Sequence, residues 1–101
     1  MLIEVTQEDI VNGECLPNKC PIALALKRIL PNHIKPYIYI NEIRLYQADN
    51  SSPACPPKTI VVQTPIEARY FVIDYDSLNN DKERQHALKP FTFNLLLPDN
   101  L

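Results

Sequence analysis

Three cysteines, two histidines and one basic stretch hold most of the chemistry that the residue types of this chain could perform. Cys15 and Cys20 lie five residues apart, Cys55 lies far downstream, and His33 and His86 are the histidines. A zinc ion would take four such ligands, but structural zinc sites usually pair cysteines two to four residues apart in recognisable knuckles. Cys15, Cys20 and Cys55 therefore read as three separate thiols, and neither a metal nor another cofactor is expected. A Cys15–Cys20 disulfide is within geometric reach. No export signal is expected, however, and three cysteines in such a chain point to reduced thiols in a cytoplasm.

Cys20 is the candidate nucleophile. It stands at a helix start, where a thiol pKa is lowered. A cysteine enzyme also needs a base, and His33 and His86 qualify only by elimination. The plainer role for Cys20 is a small apolar N-cap packed against a sheet. Asp74 and Asp76 flank Tyr75; on a helix they point about 200° apart and share no proton. The chain thus reads as a non-enzyme, with a thiol-dependent enzyme using Cys20 as a rival.

The basic stretch carries more. Between Glu14 and Glu42 there is no acid, while Lys19, Lys27, Arg28 and Lys35 supply four positive charges. His33 lies among them, Arg44 follows on the next predicted strand, and Tyr37 and Tyr39 offer aromatic faces. Lysine and arginine beside tyrosine suit a phosphate and a base. Lys27, Arg28, Lys35, Tyr37 and Arg44 are therefore the candidate ligand-binding residues, and their ligand would be a small anionic metabolite or nucleotide. The plainer account is that Lys27 and Arg28 answer to a helix dipole and the others are simply solvated. Duplex nucleic acid is not an expected partner, because the chain has net charge −2 and duplex binders usually have a basic face and a pI above about 9.

The elements that must position these residues follow from caps and periodicity. Leu2 to Val5 reads as a first strand. Thr6 fits an N-cap, with Glu8 and Asp9 opposing the positive end of a short helix, and Asn12-Gly13 closes it if Gly13 turns left-handed. The second helix starts near Cys20 with Pro21 at its first position, carries Lys27 and Arg28 in its last turn, and stops at Pro31. Ile22, Ala25, Leu26 and Ile29 share one face, Ala23 and Leu30 widen it, and Leu24 lies on the far side.

Tyr37–Ile40 and Ile43–Tyr46 flank Asn41-Glu42 and read as a hairpin. Asp49–Lys58 is a Ser/Pro-rich loop, and Thr59–Gln63 is a strand. Asn50-Ser51-Ser52 matches a glycosylation acceptor, which without secretion means only a polar loop. Thr64-Pro65-Ile66-Glu67 has the form of a capping box and predicts a third helix to about Leu78. Its apolar residues fall into two groups: Ala68, Phe71, Val72, Tyr75 and Leu78, and then Ile66, Tyr70 and Ile73. Asp81–Ala87 reads as a charged loop. Phe91–Leu97 reads as a closing strand with Phe91, Phe93, Leu95 and Leu97 on one face.

The order β-α-α-β-β-β-α-β predicts an α+β fold, a mostly antiparallel sheet with helices packed on one face. At 101 residues the chain is expected to be one domain, 1–101, with enough apolar content (46%) to form a core without metal. Its longest apolar run, Pro21–Leu26, is too short to span a bilayer, and Met1–Val5 lacks the basic flank of a signal peptide. A cytoplasmic location and no membrane partner are therefore expected. With Gly13 as its single glycine, the chain has no phosphate-cradling or dinucleotide-binding loop.

Val5-Thr6-Gln7-Glu8-Asp9-Ile10, then Gly13, then Cys20-Pro21-Ile22-Ala23-Leu24-Ala25-Leu26, together with Thr64-Pro65, Asp76 and Lys89-Pro90-Phe91-Thr92-Phe93, resemble a pattern of small uncharacterised proteins of bacteria and their phages. The resemblance spans most of the chain in order. It implies a compact accessory protein of mobile-element type and brings no activity and no catalytic residue. Asp49–Lys58, with Cys55, stands as an insertion in that pattern. The reading is then a non-enzymatic, cytoplasmic binding or interaction protein, with a sponge for a small anion (as in counter-defence) as the alternative. The two-sided third helix further predicts that the chain partners itself, as a homodimer or higher oligomer, with a host protein as another possible partner.

Overall fold

The computed structural model describes residues 1–47 and 58–97. The Ser/Pro-rich stretch, its glycosylation-like triplet and Cys55 lie outside the described residues. Among the described residues, five strands and four helices run in the order β1 (Leu2–Val5), α1 (Gln7–Asn12), α2 (Pro21–Ile29), β2 (Ile34–Ile38), β3 (Glu42–Gln47), β4 (Lys58–Gln63), α3 (Ile66–Ser77), α4 (Lys82–His86) and β5 (Phe91–Asn94). The fold is α+β in the expected order of elements, with α4 added. Among the described residues all strand pairing is antiparallel, and it is divided between two sheets, β1-β5 and β2-β3-β4.

The terminal strands pair through Ile3↔Phe93 and Val5↔Phe91. Ile3, Val5, Phe93 and Leu95 are buried while Leu2, Glu4, Thr92 and Leu96 face out, the period-two signature of a half-covered strand. Helix α2 packs against both β1 and β2 and so joins the two sheets. Ile22, Ala23, Ala25 and Leu26 are buried in this seam. Ile29 was expected on the same face but is exposed, because the helix ends there and Leu30 takes the inward position.

Several local expectations are revised. Gly13 is extended (φ −70°, ψ 160°), not left-handed. Its lack of a side chain matters for space: an added Cβ would stand 2.6 Å from Pro21 Cδ, so glycine lets the α1–α2 connection close onto the start of α2. Strand β2 begins three residues earlier than the pattern predicted and includes Pro36, which an edge strand tolerates because one side of its backbone needs no donor. The hairpin turn is shifted by one residue. Ile38 pairs with Ile43, and the Tyr39 N–H donates to the Glu42 carbonyl at 2.9 Å, which leaves Ile40-Asn41 at the tip.

The Thr64 side chain does not cap α3. Pro65 occupies the N-cap position, and the Thr64 hydroxyl donates to the Tyr39 carbonyl at 2.9 Å. A capping box does form one helix earlier: Thr6 Oγ1 accepts from the Asp9 N–H and Asp9 Oδ2 accepts from the Thr6 N–H. The predicted loop 81–87 contains α4, started by Asp81 Oδ1 accepting from the Arg84 N–H at 3.1 Å. Burial of Gln85 gives this five-residue helix a tertiary anchor.

Helix α3 keeps the two predicted apolar groups. Ala68, Phe71, Val72 and Tyr75 are buried, whereas Ile66, Tyr70 and Ile73 are 56%, 62% and 45% exposed. The α2 residue Leu24 is only half-buried. Intramolecular packing therefore leaves the second ridge of α3 uncovered by the described residues.

Candidate functional site

The five predicted ligand residues separate into two groups. Lys27 and Arg28, at the end of α2, are engaged by the chain before it. Lys27 Nζ donates to the Asn18 carbonyl at 2.6 Å. Arg28 grips the Asp9 carboxylate with both terminal nitrogens, Nη2 to Oδ2 at 2.7 Å, and Nη2 also donates to the Glu4 carbonyl at 2.9 Å. Asp9 is 4% exposed. Burial alone would push its carboxyl up, but the Arg28 fork and the Thr6 N–H outweigh that and hold it below the ordinary carboxylate range. This pair fastens α1 to α2, so Arg28 has a structural duty that charge patterning did not reveal.

Lys35, Tyr37 and Arg44 come together on the outer face of the three-stranded sheet. Tyr37 lies opposite Arg44, Lys35 opposite Tyr46, and Arg44 opposite Val61 on β4. The Tyr37 and Tyr46 rings meet edge to face with centroids 4.9 Å apart. Arg44 Nη2 donates to Glu42 Oε1 at 2.8 Å, and the guanidinium sits 5.3 Å from the Tyr39 ring centroid. The Glu42 carboxylate, then Tyr46, raises the already high pKa of Arg44. A counter-charge for Arg44 is therefore already supplied by its own strand.

A second arrangement was not singled out in the sequence. A cleft of about 440 Å³ opens where three segments meet. The loop Cys15–Cys20 forms one wall, held by the Glu14 N–H donating to the Lys19 carbonyl and the Ile38 N–H donating to the Pro17 carbonyl, both at 2.8 Å. The hairpin tip, Tyr39 to Glu42, forms the second wall. The third is the α3 face carrying Phe71, Val72, Tyr75 and Asp76, residues that helical spacing puts side by side. Gln85 braces the back: its Nε2 donates to Cys15 Sγ at 3.2 Å and to the Tyr75 carbonyl at 2.9 Å. The signal that could have found this site was the pairing of Cys15 and Cys20 around a short polar loop, since both thiols line the cleft.

The cleft disfavours negative charge. Burial pushes the Cys20 thiol up to about 11, with the Asp76 charge adding to the effect. Burial likewise lifts the Tyr75 hydroxyl to about 12, helped by the charges of Cys15, Cys20, Asp76 and Glu14. Desolvation also raises the Asp76 carboxyl. Neither His33 nor His86 lines the cleft, so the two histidines named as possible bases do not border the space beside Cys20. Among the described residues, no three His, Cys, Asp or Glu side chains are grouped so as to hold a metal ion.

A second, more open groove of about 540 Å³ lies between β4 and Asn94–Leu97, lined by aliphatic residues with Gln63 and Asn94. No helix among the described residues is long and apolar enough to cross a membrane. Comparison with protein-family models, curated proteins and solved structures found no match to this chain.

Proposed function

We propose that this chain is a non-enzymatic binding protein, of the accessory type carried by phages and mobile elements, and that it works in the cytoplasm through the cleft between the Cys15–Cys20 loop, the hairpin tip and α3. The carrying observation is a concave site of ligand size whose apolar walls, Phe71, Val72 and Ile38, sit beside a few polar groups, Asn41, Glu42 and Asp76. The Cys20 thiol favours binding over catalysis. A Cys20 thiol pushed to about 11 is almost wholly protonated near neutral pH, and the thiolate is the nucleophile. A screen of small charged and neutral molecules by amide chemical-shift mapping tests the reading. Shifts confined to residues 15–20, 38–42 and 71–76 are expected; an absence of shifts there, or shifts elsewhere only, refutes it.

A second reading, a sponge for a small anion, is favoured by Lys35, Tyr37 and Arg44 sharing the outer sheet face. Nucleotide-induced shifts on β2 and β3 would support it. Under either reading the exposed Ile66-Tyr70-Ile73 ridge supports self-association as the partner interaction, because an apolar patch of this kind is more often an interface than bare surface. A host protein on the same ridge is the alternative partner.

A further inference from the structure

The two edges of the three-stranded sheet differ. Ladder bonds in an antiparallel pair alternate, so every second residue of an edge strand turns its N–H and C=O outward. At the β2 edge the Tyr39 N–H donates to the Glu42 carbonyl, and the register then turns Ile34, Pro36 and Ile38 outward. Each of these positions is closed. The Ile34 N–H donates to the Pro31 carbonyl at 3.0 Å, the Ile38 N–H donates to the Pro17 carbonyl at 2.8 Å, and Pro36 has no N–H to offer. Lys35 adds an exposed charge between them. Proline, lysine and a covering loop are the devices that keep an edge from pairing with another chain.

The β4 edge has none of them. The Thr64 N–H donates to the Asn41 carbonyl, which puts Ile60 and Val62 in the bonded pairs with β3 and turns the backbone groups of Thr59, Val61 and Gln63 outward. None of those three N–H groups has a backbone partner among the described residues. Thr59–Gln63 contains no proline and no charge. This open edge borders the groove of about 540 Å³ whose far wall is Asn94–Leu97. That wall has outward groups of its own. Leu95 exchanges two bonds with the Met1 backbone, so Asn94 directs its N–H and C=O away from β1. Val61 and Leu96 stand 56% and 88% exposed on the two walls, and no described lining residue is charged.

We infer that the groove takes a further β-strand, an extended and uncharged segment of a partner protein, bonded along the outward edge of β4 with apolar side chains against Val61 and Leu95–Leu97. Outward N–H and C=O groups call for a backbone, and apolar walls without charge call for uncharged, β-branched side chains. In strand addition the main-chain bonds supply affinity and the alternate side chains supply specificity. The segment has β4 on one side and Asn94–Leu97 on the other, so it must be free on both edges. Every described strand of this chain already has a neighbour on at least one edge, which disfavours a strand of a second copy. The chain's remaining stretches fit less well: 48–57 holds three prolines and 98–101 opens on proline, and proline gives a ladder no donor. The groove is separate from the cleft, and its use depends on no property of the cleft.

The test adds a blocked pentapeptide, acetyl-Thr-Val-Thr-Val-Thr-amide, to the full chain and follows amide hydrogen exchange residue by residue. Without peptide, Ile60 and Val62 should exchange slowly and Thr59, Val61 and Gln63 fast. Millimolar peptide should slow Val61 at least tenfold and slow Thr59 and Gln63 with it. The same peptide with lysine in place of both valines should bind at least tenfold more weakly. Val61→Pro copies the device of Pro36: it removes an outward donor and spares the bonds to β3, so peptide binding should fall at least tenfold in a folded chain. Protection of Thr59, Val61 and Gln63 in the chain alone overturns the inference. If independent of concentration, it marks a cover from the chain's own residues; if rising with concentration, it marks a second copy. Unchanged exchange at millimolar peptide, or binding that leaves those three amides unprotected, also overturns it. The exchange pattern of the unmodified chain decides the matter even if the variant fails to fold.

Discussion

The Thr64 hydroxyl donates to the Tyr39 carbonyl at 2.9 Å, and the Thr64 N–H donates to the Asn41 carbonyl at 3.2 Å. One residue thus fastens the start of α3 to the hairpin tip, and these are two of the three walls of the cleft. Thr64 is 2% exposed, so its hydroxyl has little access to water as an alternative partner. Thr64→Val keeps the shape and removes the donor. It should cost about 1 kcal/mol in urea unfolding and broaden the amide signals of residues 39–42. An unchanged unfolding midpoint would mean that the hydroxyl contributes nothing to this junction.

The Asp9–Arg28 pair predicts a reversal in pH dependence. Asp9 is held below its ordinary pKa, so its contribution is complete above an unfolded value of about 4 and is lost as pH falls through the folded value. Arg28→Met leaves a buried carboxylate without its counter-charge. The variant should lose about 2 kcal/mol near neutral pH. Its Asp9 pKa should rise above the unfolded value, so the variant should lose stability as pH climbs from about 4 to 6, where the wild-type Asp9 contribution is already complete, and should lack the wild type's Asp9-linked loss below about pH 4. Thermal midpoints measured from about pH 2 to pH 6 for both proteins check the sign.

At the alkaline end the wild type should weaken early. Cys20 is raised from 9.0 to about 11 and Tyr75 from 10.0 to about 12. A group whose folded pKa is raised stabilises fully below its unfolded pKa and loses that contribution as pH rises through the folded one. The thermal midpoint should begin to fall near pH 9 and continue to fall to about 12. Cys20→Ala should flatten the first part of that decline, and an identical profile in the variant would show that Cys20 is not its source.

Gly13→Ala tests the close approach of the α1–α2 connection to Pro21. The backbone at Gly13 has negative φ and accepts any residue. The cost therefore comes from the added Cβ, 2.6 Å from Pro21 Cδ. A loss of about 1–3 kcal/mol is expected, the range for overpacking. A neutral effect would show that the connection shifts aside without strain.

Self-association through the α3 ridge is tested by light scattering at micromolar concentration. The mass should exceed that of one 11.6 kDa chain. Tyr70→Lys, placed where the side chain is 62% exposed, should return the mass to a single chain and leave the thermal midpoint at high dilution unchanged. A single-chain mass in the unmodified protein refutes the dimer.

Local rules determined most of the elements. Pro21 at the first turn and Pro31 beyond the end bounded α2, period-two alternation placed β1 and β5, and the two apolar groups of α3 were visible in its spacing. These signals depend on residues within one or two turns of each other, so the chain carries them before it folds. The division of strands into two sheets, the burial of Gln85 that makes α4 possible, and the roles of Gly13 and Thr64 depend on segments distant in sequence. So does the site. Charge patterning brought Lys27 and Arg28 together with Lys35 and Arg44, because it measures sequence proximity. Folding fixed Arg28 on Asp9 and sent Lys35, Tyr37 and Arg44 to the outer sheet face. The cleft unites residues 15–20, 38–42 and 71–76, and only tertiary packing brings three such separated segments around one space.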